Sequence, residues 1–303
     1  MKVSLIIPTQ RRPQGLAVAA RSALGQTGVA PAELELVVVD NDQTPSAHAL
    51  VAALAAEAPF PVRYVHEPAA GVANARNAGL TVAAGELIAF LDDDEEAPGG
   101  WLAELIAAQA MYGADAVFGP VKARAPAVVR EHRAYLEAFF SREGPSTSGP
   151  LDRYFGCGNS LVRRAALPDW NRPFAAHRNL IGGEDDFLFG GMRQAGARFV
   201  WAADAFVWED PVPERLTLGY TIQRAFAYGQ GPSSHCAASG DRLGVAWWML
   251  VGLAQAGGYG LVAAAQWVAR APGRAQWLDR AARGLGKILW WGPFKIQFYG
   301  RTP

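Results

Sequence analysis

The sequence of 303 residues has little cysteine: Cys157 and Cys236 stand alone, without a Cys-x-x-Cys spacing. This scarcity argues against a disulfide framework and against a cysteine zinc site, and a reducing compartment is the expected one. The chain also has no excess of charge, because 28 Lys and Arg balance 28 Asp and Glu. A net charge of zero argues against a general nucleic-acid-binding protein.

Three other features are missing. The first apolar run, at 3–8, follows one basic residue and is too short for a signal peptide, so we interpret it as a strand and expect the catalytic part to stay in the cytoplasm. No internal repeat is visible. With half of its residues hydrophobic, the chain is long enough to bury one large core or two small ones, and it is not a disordered chain.

The balanced charge conceals an asymmetry. Residues 270–303 contain seven basic residues and one acidic residue, a net charge of +6, which leaves −6 for the rest of the chain. Six of the ten Trp lie in the last 61 residues. Such a division predicts separate roles for the two parts.

The first 120 residues alternate between two kinds of segment. Short β-rich apolar runs at 3–7, 34–39, 62–65 and 87–91 predict strands, and Ala/Leu-rich segments at 13–24, 46–58, 72–83 and 101–111 predict helices. This alternation predicts an α/β fold with a mostly parallel sheet. Such sheets bind ligands beyond the carboxyl ends of their strands.

The sharpest feature at those strand ends is a run of five acids, Asp92 to Glu96. On an extended chain Asp92 and Asp94 would share one face, opposite to Asp93. Two neighbouring carboxylates favour either a raised pKa or a bound divalent cation, and Mg²⁺ combines one or two carboxylates with substrate phosphates. The run therefore indicates a metal–diphosphate site, with a solvated acidic loop as the alternative.

A second acidic site follows at 183–186, where a helix with an apolar stripe begins. Asp185 is either a helix N-cap or, beside a bound sugar, a base that takes a proton from an attacking hydroxyl. Between the two acidic sites, the Pro-, Gly- and Ser-rich segment 125–150 is interpreted partly as a flexible loop.

Taken together, these motifs resemble the ordered set of the family 2 glycosyltransferases with the GT-A fold. The set consists of VSLIIPT at 3–9, VVVDN at 37–41, GVANARNAG at 71–79, FLDDD at 90–94 and GED at 183–185. The resemblance covers about residues 1–232. The stretch 213–217, followed by Arg224 and YGQG at 228–231, resembles the branch that builds bacterial exopolysaccharides.

The resemblance implies a role for each matching residue. Asp40 would contact the nucleotide base, usually uracil, Asp92 would face the ribose, Asp94 would hold Mn²⁺ or Mg²⁺, and Asp185 would be the general base of an inverting transfer. The implied donor-binding residues are Pro8, Thr9, Asp40, Asp42, Arg76, Asp92, Asp93 and Arg224, and the implied acceptor residues are Asn159, Glu184 and Trp208.

Some residues depart from the family pattern or leave alternatives open. Asn41-Asp42-Gln43-Thr44 replaces the commoner Asp-Gly-Ser-Thr, and the QxxRW motif of processive synthases is absent, so we expect one sugar to be added. His235 either approaches the metal or is a surface histidine, and Cys157 is expected to be a small packing residue.

The tail begins with an uncharged stretch of 27 residues, 243–269, long enough to span a membrane. Internal Gln and Gly residues favour two short helices, in a hairpin or on the surface. A basic amphipathic helix over about 278–289 then precedes a Trp-rich end, which suits a lipid headgroup layer. The alternative is a soluble helical pair packed on the core.

The sequence thus predicts a GT-A catalytic domain over 1–240, with a nucleotide-sugar half over about 1–120 and an acceptor half over 121–240, followed by a membrane-associated tail over 241–303. The predicted reaction is metal-dependent transfer from a nucleotide-sugar, first of all a UDP-sugar, to a saccharide or lipid-linked acceptor. We expect it at the inner face of the plasma membrane, peripheral or monotopic. The alternatives are a catalytically silent sugar-nucleotide-binding scaffold and a nucleotidylyltransferase, although the glycine-rich phosphate loop of the latter is missing after the first strand.

Overall fold

The computed structural model describes residues 2–170, 172–179 and 183–296. It divides into two compact units. The first unit comprises Met1–Lys122 and Ser141–Asp210, and the second comprises Ala123–Phe140 and Pro211–Pro303. The chain therefore enters the second unit once, returns to the first unit, and enters the second again.

The first unit is built around a twisted main sheet with the strand order β3-β2-β1-β4-β9-β6-β10-β8 in the described part of the chain. Strands β3, β2, β1 and β4 run parallel, whereas β9 is antiparallel to both of its neighbours. The strands of this sheet are β1 (Val3–Thr9), β2 (Leu34–Asp40), β3 (Val62–His66), β4 (Leu87–Phe90), β6 (Ala116–Phe118), β8 (Gly149–Leu151), β9 (Ser160–Arg163) and β10 (Phe199–Trp201). A small second sheet contains β5 (Glu95–Glu96), β7 (Val121–Ala123) and β11 (Val207–Glu209).

Helices cover both faces of the main sheet, so its central strands are buried on two sides. Leu5 and Ile7 of β1 pack into one apolar cluster and Ile6 into the other, as alternation along a strand requires. Helices α1 (Pro13–Leu24), α2 (His48–Glu57) and α4 (Trp101–Tyr112) contribute to the first cluster, and α3 (Val72–Val82) and α6 (Glu184–Gln194) to the second. The predicted α/β fold with a mostly parallel sheet is confirmed.

Most predicted elements of the first unit agree with the structure within two residues at either end. The segment 125–150, interpreted partly as a flexible loop, contains α5 (Arg133–Phe140), which belongs to the second unit, and the start of strand β8. The helix after the second acidic site also differs from the N-cap alternative: Gly183, with a φ of 77°, is its cap, and Asp185 lies inside its first turn.

The second unit is helical. It combines α5 with three longer helices, α7 (Leu218–Ala238), α8 (Arg242–Val268) and α9 (Arg274–Ile288). Helix α9 contacts both α7 and α8. A methyl group on Gly286 would lie 2.0 Å from the Phe226 carbonyl oxygen, and one on Gly284 would lie 2.6 Å from the Ala256 nitrogen. Backbones meet at these points because no side chain separates them.

The uncharged stretch forms one continuous helix, α8, and not the two short helices predicted. Interior glycines cost helix stability, about 1 kcal/mol each relative to alanine, but they do not interrupt the hydrogen-bond ladder as proline does. Contacts with α9 along one side supply the stabilisation that the sequence pattern did not reveal. Helix α8 is long and apolar enough to cross a membrane, and only 11% of its most apolar window is buried.

The basic helix predicted over about 278–289 is α9, whose buried side consists mainly of small residues. Ala281, Ala282, Gly284 and Gly286 are buried, whereas Leu285 is exposed. Small residues therefore face the neighbouring helices.

Helix α5 belongs to this unit through its aromatic side. Tyr135 and Leu136 are buried beside Ala275 of α9, and the Tyr135 hydroxyl donates to Asp279 Oδ1 at 3.2 Å. The predicted boundary at residue 240 therefore falls within the helical unit, because α7 and α5 pack with the tail helices.

Candidate active site

The polar residues predicted at the strand ends meet at one edge of the main sheet. Parallel pairing places Thr9, at the end of β1, opposite Asp40, at the end of β2. Strand β4 is the other neighbour of β1 and leads directly into the acidic run. The three strand ends are adjacent because the strands run in the same direction.

Arg76 joins the two acidic motifs. From helix α3, its Nη2 donates to Asp92 Oδ1 at 3.0 Å and its Nη1 donates to Glu184 Oε1 at 2.7 Å. Arg76 is buried; burial alone would lower the pKa of its guanidinium, but the surrounding acids raise it. The Nε of Arg76 is buried without a hydrogen-bond partner among the described residues. This arginine is thus a permanently charged centre with one donor unused.

Arg12 neutralises the other two aspartates. Its Nη1 lies 3.1 Å from Asp93 Oδ1 and 2.7 Å from Asp94 Oδ2. The Thr9 hydroxyl donates to Asp93 Oδ2 at 2.8 Å. Burial raises the pKa of Asp93 to about 6. Predicted alternation of the three aspartates is wrong, because the chain turns at Asp93 and Asp94 and both carboxylates reach one guanidinium.

A third arginine, Arg142, pairs with the acidic run through Glu95. Glu95 is buried, accepts from Arg142 Nη2 at 3.1 Å, and shares that arginine with Glu209 at 3.2 Å. Burial raises the pKa of Glu95 well above its usual range, and the charge of Asp92 adds to this effect. The second carboxylate oxygen of Glu95 accepts from the Asp92 backbone N–H at 3.1 Å. Three arginines therefore pair with acids of this run. A solvated acidic loop, the alternative interpretation, would not have such partners.

Asp40 is fully buried and uses both carboxylate oxygens within the protein. Its Oδ2 accepts from the Ala47 N–H at 2.7 Å and from the Tyr64 hydroxyl at 2.9 Å, and its Oδ1 accepts from the Asp42 N–H at 3.3 Å. These contacts fix the loop after β2. A base contact through the Asp40 side chain would require one of these bonds to be exchanged.

Asp42 pairs with Arg11, whose Nη2 lies 2.8 Å from Oδ1. The hydrogen bond from Arg11 lowers the pKa of Asp42. The intervening Asn41 connects two loops: its Nδ2 donates to the Glu67 and Ala69 carbonyls, both at 2.8 Å, and its Oδ1 accepts from the Gly71 N–H at 2.7 Å. Sequence reasoning gave Asn41 no such role.

The loop before the second acidic motif is held by Asn179. Its Oδ1 accepts from the Ala73 N–H at 2.9 Å, in the first turn of α3. Gly71 adopts a φ of 131°, and a methyl group there would lie 2.1 Å from Asn179 Cγ. The glycine of the GVANARNAG motif is therefore required both for its conformation and for this contact. Residue 182, which precedes Gly183 in the sequence, lies outside the described residues.

Asp185 follows Glu184 in the first turn of α6 and is half-buried. Its Oδ1 accepts from the Asp186 N–H at 2.9 Å, and its Oδ2 lies 3.4 Å from the Cys157 N–H. A carboxylate in the first helical turn is stabilised as an anion by the helix dipole. Oδ2 has only this one long contact among the described residues, so it can accept a further hydrogen bond. Cys157 itself is buried in the apolar core, which confirms the packing role predicted for it.

Asn159 and Trp208, two of the expected acceptor residues, differ in their surroundings. Asn159 is buried, accepts from Trp101 Nε1 at 2.7 Å, and donates to the Pro120 and Ala205 carbonyls at 2.8 Å each. These three hydrogen bonds occupy its side-chain amide within the core, so Asn159 stabilises packing instead of contacting an acceptor. Trp208 is half-buried in β11, with its ring 5.3 Å from that of Phe206.

The remaining predicted residues are distributed between the units. Pro8 lies within buried β1. Arg224 belongs to the helical unit, where its Nη2 donates to the Tyr228 hydroxyl at 2.8 Å. His235 is exposed on α7.

The described residues contain no ready-made group of three or more His, Cys, Asp and Glu that would hold a metal ion. A metal held jointly with substrate phosphates needs fewer protein ligands. Asp92 and Asp94 offer hard oxygen atoms on side chains that are 30% and 32% exposed, and the Arg12 guanidinium shows that Asp94 accepts a cation. The residues present therefore fit an Mn²⁺ or Mg²⁺ ion completed by a diphosphate.

Comparison with known proteins gives concordant results. The model of the family described as "Glycosyl transferase family 2" matches residues 4–170. The chain is 37% identical over 249 residues to the succinoglycan biosynthesis protein ExoM of Rhizobium meliloti (strain 1021), a match that covers 82% of this chain and 79% of that protein. It is 33% identical over 95 residues to the uncharacterized glycosyltransferase YibD of Escherichia coli (strain K12), which covers 31% of this chain and 26% of that one.

Solved structures show the same fold. The mannosyltransferase PcManGT from Pyrobaculum calidifontis, in complex with GDP-Man and Mn²⁺, matches with a TM-score of 0.61 and 20% identity over 94% of this chain and 85% of that chain. S. aureus TarS 1-349 in complex with UDP-GlcNAc matches with a TM-score of 0.54 and 21% identity over 74% of this chain. The chain spans 66% of the length of that TarS structure.

Proposed function

The chain belongs to glycosyl transferase family 2 and is a glycosyltransferase, and from this premise we propose that it transfers one sugar from a UDP-sugar to a hydroxyl group in exopolysaccharide biosynthesis. The observation that carries the proposal is the pair of bonds from Arg76 to Asp92 and Glu184. They bring the acidic run and the GED motif to one place, as a reaction between a diphosphate donor and a base-activated acceptor requires. The similarity to ExoM supports the process.

The donor is held at the acidic run. Asp94, together with Asp92, would hold an Mn²⁺ or Mg²⁺ ion and the diphosphate of the donor, and Asp92 would also face the ribose. The bound ion supplies charge stabilisation to the leaving nucleoside diphosphate. Arg76 holds Asp92 in place through its Nη2, and its Nε, which has no hydrogen-bond partner among the described residues, is a donor for an anionic group nearby. Thr9 and Asp93 form the wall behind these residues through their hydrogen bond.

The nucleotide base lies beside the loop after β2. Asp40 holds this loop through the Ala47 N–H and the Tyr64 hydroxyl, and Asp42 is fixed by Arg11. We assign base recognition to this loop, with Asp40 as its organiser.

Asp185 is the general base. Its Oδ2 accepts the proton of the acceptor hydroxyl as that oxygen attacks the anomeric carbon from the side opposite the leaving group, so a single displacement inverts the configuration. Glu184, bound to Arg76, fixes the helical turn that carries Asp185. Trp208 offers an apolar ring for a sugar acceptor.

The test is turnover of UDP-sugars with Mn²⁺ by the full chain, with Asp185→Asn as the key variant. We expect that variant to bind the donor as well as the original protein does, while transfer falls by a factor of at least 10². Asp186→Asn, an exposed neighbour in the same helical turn, is the matched control and should retain activity. Turnover by Asp185→Asn at the original rate would remove the assignment.

A thermal-shift screen identifies the donor, because a bound ligand stabilises the protein by mass action. UDP-GlcNAc and GDP-Man are the donors in the two structurally similar complexes. A shift with a UDP-sugar and none with GDP-Man supports the uridine assignment. The opposite result would leave the transferase function in place and would make guanine, instead of uracil, the base that the site recognises.

The partner of the helical unit is a second part of the proposal. The exposed side of α8 includes Leu243, Trp247, Leu250, Leu253, Leu261 and Val268, and residues 243–269 contain no charge. The following segment carries the +6 charge. An apolar surface next to basic residues fits an anionic bilayer, and each basic residue near the surface contributes about 1 kcal/mol. We propose that this helix docks the enzyme, as a peripheral or monotopic protein, at the cytoplasmic face, where lipid-linked acceptors are available.

Sedimentation with vesicles of anionic phospholipid tests the docking. Trp247→Glu combined with Leu250→Glu places two charges on the exposed side of α8 and should abolish cosedimentation. Met111→Glu, a change of an equally exposed apolar residue on α4, should not. Equal cosedimentation of all three proteins would contradict membrane docking, whereas the transferase assignment would stand.

A further inference from the structure

The guanidinium group of Arg12 contacts the acidic run, although Arg12 belongs to no motif identified in the sequence. Arg12 stands between β1 and α1, and a single nitrogen, Nη1, contacts Asp93 Oδ1 at 3.1 Å and Asp94 Oδ2 at 2.7 Å. The second of these oxygens belongs to the proposed metal ligand. The cation therefore occupies the same carboxylate that an incoming metal ion would use.

The backbone around Arg12 is held against the acidic run. A methyl group on Gly15, in the first turn of α1, would lie 2.4 Å from the Asp93 carbonyl oxygen. Only glycine permits this close approach. The start of α1 is thus packed directly on the acidic turn. This packing, and not a flexible loop, places Arg12 next to the two carboxylates.

Arg12 differs from Arg76 in exposure. The Arg76 side chain is 5% exposed, whereas that of Arg12 is 36% exposed and that of Asp94 is 32% exposed. A side chain with access to solvent can move far enough to release the partly exposed Asp94 while it stays near Asp93, whose side chain is only 10% exposed. Asp93 would keep the Thr9 hydroxyl as a partner after such a movement.

From this geometry we infer that Arg12 is the exchangeable counterion of the acidic run. It holds Asp94 in place while the donor is absent, and it gives up Asp94 Oδ2 when a divalent cation binds there. Arg12 is thus a positioning residue that lowers the affinity of the site for a metal ion alone. The inference rests on the proposed function, because it takes Asp94 as the metal ligand.

The exchange has a physical consequence. Two cations that share one carboxylate oxygen repel each other, so metal binding must include the cost of breaking the Arg12 pair. The diphosphate of the donor brings the negative charge that offsets this cost. The ion and the nucleotide therefore bind better together than the ion binds alone.

The test measures binding of Mn²⁺ alone to the full chain, by the loss of the electron paramagnetic resonance signal of the free ion. Arg12→Gln should bind Mn²⁺ about fivefold more tightly than the original protein, the size expected for a partly exposed ion pair. Arg12→Lys, which keeps the charge but not the reach to both carboxylates, should fall between the two. It also serves if the glutamine variant fails to fold.

Arg11→Gln is the matched control, because it removes the same charge from the adjacent residue, whose partner is Asp42. It should leave the Mn²⁺ affinity unchanged. If Arg12→Gln and Arg12→Lys bind Mn²⁺ no more tightly than the original protein, or no more tightly than Arg11→Gln, the inference is overturned.

Asp94→Asn separates the two levels of the proposal. A loss of Mn²⁺ binding in that variant, without tightening in the Arg12 variants, would remove the counterion role and leave the metal site in place. Unchanged Mn²⁺ binding by Asp94→Asn would remove both.

Discussion

Arg76 and Glu184 are 108 residues apart in the sequence, yet their side chains form an ion pair with an Nη1–Oε1 distance of 2.7 Å. Both side chains are buried. Burial raises the pKa of Glu184, and the Arg76 charge opposes that rise. Because Asp185 is the next residue, the position of the proposed base depends on an arginine of a different helix.

Replacing Arg76 should destabilise the protein strongly. Arg76→Ala leaves the Glu184 carboxylate buried without a cation, and breaking a buried pair in this way costs about 3 to 5 kcal/mol. Urea unfolding measures the change. Arg11→Ala, which removes an arginine side chain that is 69% exposed, should cost less than about 1 kcal/mol. Equal effects of the two substitutions would show that the Arg76 pairs do not stabilise the fold.

Metal removal should affect donor binding through Asp94. In the original protein we expect Mn²⁺ to tighten binding of UDP at least tenfold, because the ion joins a carboxylate to the diphosphate. Asp94→Asn should bind UDP equally with and without the ion. Isothermal titration with Mn²⁺ and with a chelator measures both. Asp152→Asn, at an exposed loop position, should behave like the original protein.

The pH dependence of stability should report on Glu35. Burial alone would raise its pKa, but donation from the Ser4 hydroxyl and the Ala84 N–H, together with Arg63, lowers the pKa below 4.5. The folded state therefore favours the ionised form, so its stabilising contribution is present above about pH 4.5 and is lost as the pH falls through the lower folded value.

Glu35→Gln should consequently reduce the free energy of unfolding by about 1 to 3 kcal/mol at pH 7, and the difference should shrink below pH 4.5. Denaturant titrations between pH 3 and pH 7 measure this. Glu57→Gln, at the exposed end of α2, should show no such trend. A difference that stays constant down to pH 3 would mean that ionisation of Glu35 does not contribute.

Glycines of the helical unit should respond in opposite directions to alanine. Gly286→Ala places a methyl group 2.0 Å from the Phe226 carbonyl oxygen, so we expect a loss of about 1 to 3 kcal/mol. Gly257→Ala, on the open side of α8, meets nothing within 4 Å and should gain up to about 1 kcal/mol from helix propensity. Thermal unfolding of the two variants tests the contrast; a stabilised Gly286→Ala would contradict the close packing.

Much of the first unit was predictable because its signals are local. Apolar runs of four to six residues alternate with Ala/Leu-rich segments, and parallel strands place Thr9, Asp40 and Asp92 at one edge whatever the details of packing. The partners of these residues were not predictable. Arg12 and Arg142 belong to no motif. A run of five acids nevertheless favours a cation nearby, and Arg11 and Arg12 follow the end of the adjacent strand β1.

The helices α8 and α5 of the second unit could not be predicted, for a different reason. Glycines in 243–269 lower helix propensity, and the sequence does not show that α9 packs along this segment. Likewise, nothing local in 125–150 indicates that the aromatic side of α5 meets Ala275. Tertiary contacts decide both cases, between residues 28 positions apart for Gly284 and Ala256 and 144 positions apart for Tyr135 and Asp279. A periodic pattern carries no information about them.

The insertion of Ala123–Phe140 into the helical unit has a consequence for synthesis on the ribosome. Tyr135 meets Asp279 only after 144 further residues have been added, which takes roughly 7 to 30 s at ordinary rates of translation. Strands β9 and β10 of the main sheet emerge during that interval. The aromatic side of α5 therefore emerges well before α9, the helix that it packs against, and that interval is when a chaperone would have most to protect.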